Sequence, residues 1–154
     1  MNPYRHTAAR IHEIVKAPKA LVAGQSVSPK RHGSHGLSFE AFVELVEGSF
    51  LDIRYKGVAG VSHDPTSYDA SLRLDQQRVR GIGHCAVGRQ NFRAKQRISA
   101  GWHQNIVDPN LPTNAAAYNR HEPLPDFDPG DFSDFTRKVA VIWNIDMGWK
   151  GGLL

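Results

Sequence analysis

The chain has 154 residues, 40% of them hydrophobic and 22% charged, with a formal net charge of +4. That length suits one domain with a closed core, and the balance of apolar to charged residues excludes a disordered tail. No apolar run approaches the ~20 residues of a spanning helix, and Met1 to His6 lack the apolar stretch of a secretory signal, so a cytoplasmic protein with no membrane partner is expected.

Residues 1–36 read as a basic N-terminal arm and loop, and residues 37–154 as one α+β domain. In the arm, Thr7 can cap a short helix whose Ile11, Ile14 and Val15 share a face, with Pro18 stopping it. Residues 24–36 mix glycine, proline, serine, two cations and two histidines, which reads as an exposed loop. Phe39 to Glu47 fits either a helical stripe or a strand. The strand is favoured for Phe42 to Glu47, because Leu51 to Lys56 alternates with period two after the turn-like Gly48-Ser49. Tyr68–Leu74 and Arg78–Ile82 read as two further strands, Asn91 to Ile98 as another, and Trp102 to Val107 as a last short one. Residues 108–131, with five prolines, read as a long loop. From Asp131 a helix is predicted: Asp131 caps it, and Phe132, Phe135, Val139 and Ile142 recur at helical spacing. The expected architecture is an antiparallel sheet of about five strands packed by this C-terminal amphipathic helix, with a short N-terminal helix at the periphery.

Charge is distributed in blocks. Residues 1–36 carry six cations and one acid, residues 37–53 four acids and no cation, residues 54–100 nine cations and three acids, and residues 101–154 four cations and seven acids. In the basic block, Arg78 and Arg80 stand two apart on one predicted strand, as do Arg93, Lys95 and Arg97 on the next. Period-two geometry projects each set from one face. If the strands pair, five cations share a face, which is either solvated with acids interleaved or matched to a polyanion such as RNA, where Lys and Arg release condensed counterions.

His84 and His103 both fall at predicted strand ends, near these cations. A base, an acid and cations around a pentavalent phosphate are what a metal-independent ribonuclease needs, so His84 and His103 are the candidate catalytic pair; each can equally be a hydrogen-bonded structural histidine. Metal ligation by His84, Cys85, His103 and His121 has no supporting spacing, and none is assigned. The lone Cys85 excludes an intramolecular disulfide and any Cys-x-x-Cys motif. The glycines match neither a phosphate-binding loop nor a dinucleotide fingerprint, so no cofactor is expected.

In order, Ala41-Phe42-Val43-Glu44-Leu45-Val46, Asp52-Ile53-Arg54-Tyr55-Lys56, Ser71-Leu72-Arg73-Leu74, Arg78-Val79-Arg80-Gly81, a glycine-rich stretch bearing a histidine, Gly101-Trp102-His103 and a final amphipathic helix follow one another. This succession, over roughly residues 40–145, resembles the TumE-like toxins of prokaryotic toxin–antitoxin pairs. In that family a Tyr-Asp-Asn-like triplet stands where this chain has Gly83-His84-Cys85, and a His-x-His pair where it has His103-Gln104-Asn105, so His103 is the position that carries over. The resemblance implies growth inhibition through RNA or the translation machinery, restrained by a small DNA-binding antitoxin. The alternatives are a noncatalytic module binding nucleic acid or protein through the basic face, and an accessory protein whose acidic C-terminal third docks on a basic partner.

Overall fold

The computed structural model describes residues 7–25, 28–33, 35–44, 49–57, 63–74, 77–91, 96–107 and 120–148. Helix α1 (Ala8–Lys16) starts where Thr7 Oγ1 accepts the Arg10 amide at 3.2 Å, and it buries Ile11, Ile14 and Val15. Its exposed carbonyls end on an ammonium: Lys19 Nζ donates to the Ile14, Val15 and Ala17 carbonyls at 2.9, 2.6 and 2.7 Å. Burial pulls this ammonium down to about 8. Lys19 and Ala20 form β1, paired in parallel with β11 (Ile145–Asp146), which joins the start of the described chain to its end.

The main sheet has seven antiparallel strands: β2 (Lys30–His32), β3 (Gly36–Phe42), β4 (Phe50–Tyr55), β5 (Tyr68–Leu74), β6 (Gln77–Cys85), β9 (Gly101–Ile106) and β10 (Arg120–Pro123). Their order across the sheet is β10-β9-β6-β5-β4-β3-β2, a meander. β7 (Arg89–Asn91) and β8 (Gln96–Ile98) leave it as a separate hairpin. The fold is the expected α+β, with seven strands in place of about five. Strand β2 arises inside the segment read as a loop, and β10 inside the long proline-bearing one.

One face of the sheet is covered. Phe39, Leu51, Ile53, Ala70, Leu72 and Ile82 are at most 1% exposed and pack with Ile11 and Ile14 of α1 and with α2 (Phe132–Ile142). The cap of α2 is as predicted: Asp131 accepts the Asp134 amide at 2.8 Å. Trp143, fully buried past the helix end, donates its indole N–H to Gln104 Oε1 at 2.9 Å and so ties α2 to β9. Burying side chains of this size stabilises by about 2 kcal/mol each, so the helical stripe serves chiefly to cover the sheet.

A bulge in β6 sorts its arginines between the two faces. Leu72 lies opposite Arg80 but Arg73 lies opposite Arg78, so Val79 is an extra residue in β6. One inserted residue reverses the face of everything beyond it. Arg78 therefore projects with Arg73 to the open face, and Arg80 with Leu72 to the helix-covered face, where it is 6% exposed. The expectation that Arg78 and Arg80 share a face is overturned.

The candidate active cleft on the open face

On the open face, the register aligns Gly81 with Asn105 and Gly83 with His103 between β6 and β9, then Asn105 with His121 and His103 with Pro123 between β9 and β10. The two glycines present no side chains, so β6 forms the floor of a trough. Its walls are β5 and the end of β4 on one side and β9 on the other. The resulting cleft, about 410 Å³, is lined among others by Lys56, Asp69, Arg78, His84, His103 and Asn105. A Cβ at Gly81 would fall on the guanidinium of Arg78, so glycine there lets that side chain lie along the trough.

His103 and His121 are neighbours across β9 and β10. Both are buried, and their ring centroids are 5.2 Å apart at an interplanar angle of 57°. The Asn105 side-chain oxygen beside them is buried without a hydrogen-bond partner among the described residues. Sequence reasoning misses this pairing of histidines, because Arg120-His121-Glu122-Pro123 contains no large apolar residue and carries no periodic signal; only its pairing with β9 makes it a strand.

His84 does not join them. It stands opposite Trp102, and its ring meets the Trp102 ring edge-on at 5.1 Å, while Trp102 packs on Phe135 of α2 at 5.6 Å. Residues one apart on a strand point to opposite faces, so His84 at the cleft's end is directed to the helix side while His103 is directed outward. Burial lowers its pKa, with the charge of Asp64 working weakly against that. His84 and His103 both line the cleft from opposite faces of the sheet, and the imidazole in ring contact with His103 is that of His121.

The cations are dispersed. Arg54 is held by Glu40 and Asp52, each at 3.0 Å, and Arg78 by Asp69 at 3.4 Å. Arg97 is exposed on β8, and the register of Asn91 with Gln96 folds that segment into a hairpin instead of the single strand expected from Asn91 to Ile98. Arg93 and Lys95 lie outside the described residues. The five-cation face is therefore not formed by Arg78, Arg80 and Arg97: one is open and ion-paired, one is buried under the helices, and one is on a separate hairpin that packs toward β10. Among the described residues, no group of three or more His, Cys, Asp or Glu side chains is placed to hold a metal ion. No helix among them is long and apolar enough to cross a membrane.

No family model, no curated protein and no solved structure matches this chain.

Proposed function

We propose that the protein cleaves RNA as the toxin of a prokaryotic toxin–antitoxin pair, with His103 and His121 as its acid–base pair and a small DNA-binding protein as its antitoxin. The observation that carries the reading is the 5.2 Å approach of these two imidazoles on the open face, beside a glycine-floored cleft reached by Arg78 and Lys56. The order of segments that resembles TumE-like toxins supports the toxin role and a cytoplasmic setting, and His103 is the position at which resemblance and geometry meet.

In this mechanism one imidazole takes the proton of a ribose 2′-hydroxyl, and the freed oxygen attacks the adjacent phosphorus. The bond from phosphorus to the 5′-oxygen breaks, and the other imidazole, protonated, delivers its proton to that leaving oxygen. A 2′,3′-cyclic phosphate and a 5′-hydroxyl result, with no metal required by the proton balance. Arg78 and Lys56 offset the charge that develops on the phosphoryl oxygens. Asp69 holds Arg78 in the cleft, so the guanidinium needs little reorganisation when the phosphate arrives.

Inducible expression in a bacterial host tests the reading. Wild type should arrest growth and fragment RNA, and His103→Ala should do neither while accumulating as folded protein. A His103→Ala variant that arrests growth as wild type does refutes it, as does arrest with intact RNA.

A further inference from the structure

On the opposite face, a second cavity of about 590 Å³ lies between α1, the end of α2 and the edge formed by β6, β9 and β10. Among the described residues its cationic groups are Lys16 on α1, Arg80 on β6 and Arg120 on β10, with His12 beside them and Glu122 as the single carboxylate. Arg80 is 94% buried, being 6% exposed, and its guanidinium donates to the neighbouring Val79 carbonyl at 2.9 Å. No carboxylate among the described residues lies within 4.0 Å of Arg80, Lys16 or Arg120. Burial and the nearby Arg120 both work against the charge on Arg80, and Glu122 only partly opposes them.

A buried guanidinium with no carboxylate within ion-pair distance among the described residues is costly, Glu122 offsets that cost only in part, and a second guanidinium facing the same space adds to it. An anion that completes the site offsets both costs. A planar fork of donors beside a second guanidinium and an ammonium suits a tetrahedral, doubly charged group better than a carboxylate. The wall is completed by the polar side chain of Gln104 and by apolar groups that include Val15, Ile106 and Ile142, and the volume lies within the range of small-ligand pockets. We infer that this cavity binds a phosphate group, free or carried on a small organic phosphate, between Arg80, Arg120 and Lys16. The sheet itself separates this cavity from the open-face cleft, so phosphate binding here does not require that the cleft cleave RNA.

Titration calorimetry at fixed ionic strength tests it, with inorganic phosphate, adenosine monophosphate and adenosine as probes against wild type, Arg80→Met, Arg120→Gln and His103→Ala. Phosphate and the monophosphate should bind wild type and adenosine should not; a tighter monophosphate identifies a nucleotide, and equal affinities identify the bare phosphate group. Arg80→Met should weaken binding by roughly 30-fold or more, and the exposed Arg120→Gln, which leaves the core untouched, by roughly tenfold. His103→Ala should keep the component of binding that Arg80→Met and Arg120→Gln weaken. Failure of both phosphate probes to bind wild type overturns the inference, as does binding lost in His103→Ala but kept in Arg80→Met and Arg120→Gln.

Discussion

Arg78 and Arg80, two residues apart on one strand, project to opposite faces of the sheet because Val79 between them has no partner on β5. The bulge gives each arginine a different surrounding. Arg78 lies on the open face over Gly81 beside His103, and Arg80 lies beneath α1 in the second cavity.

Gly81→Ala tests the open-face half of that relationship. The added methyl meets the far end of Arg78, which can move, so the fold should survive with a stability change within about 1 kcal/mol. Cleavage of RNA should fall by about tenfold or more as the guanidinium leaves the trough. Comparing thermal unfolding with cleavage rate separates the two effects.

Lys19→Met should destabilise the protein by about 1–3 kcal/mol, because three carbonyls at the end of α1 lose their donor. The pH dependence carries its own sign. Lys19 titrates at about 8 when folded against the ordinary 10.5, so between these values the unfolded chain binds the extra proton and wild-type stability gains from this group as pH rises. Buried Tyr68 works the other way above its ordinary value of 10.0, since its folded pKa is raised and the unfolded phenol ionises first. Denaturant unfolding from about pH 8 to about pH 10 should therefore show wild type gaining stability relative to Lys19→Met, which lacks the titrating ammonium.

The acid side is set in part by His84. Its folded pKa lies below the ordinary 6.5, so as pH falls through 6.5 the unfolded chain takes up the proton first and stability drops. His84→Phe retains a ring against Trp102 and removes the titration, so its midpoint of unfolding should decline less than wild type between about pH 7 and about pH 5.5. Denaturant titrations at both ends of that window check it.

Asp131→Ala removes the acceptor for the Asp134 amide and should cost about 1 kcal/mol with the core unchanged. The readout is a lower unfolding midpoint with an unaltered denaturant slope.

The elements carried by local chemistry are legible in the amino-acid sequence. Thr7 and Asp131 announce their helices, and the alternation of Tyr68–Leu74 coincides with β5 residue for residue. What is illegible depends on pairing. Arg120–Pro123 becomes a strand only beside β9, and with it the His103–His121 approach appears. The bulge does leave a trace: Val79 and Ile82 are both buried apolar residues three apart in one strand, a spacing that period two forbids without an inserted residue. Uninterrupted alternation through that interval is what places Arg78 and Arg80 on one face. His84 and His103 likewise look equivalent at strand ends, and only the register opposite Trp102 and Gly83 separates them.

The most direct measurement is cleavage of a defined RNA by purified protein in the presence of a metal chelator, with the new ends identified, for wild type, His103→Ala and His121→Ala. Wild type should leave 2′,3′-cyclic phosphate and 5′-hydroxyl ends with a bell-shaped pH dependence, and each variant should lose at least about a hundredfold in rate. Cleavage by either variant at the wild-type rate, or 5′-phosphate ends, would contradict the paired-histidine mechanism.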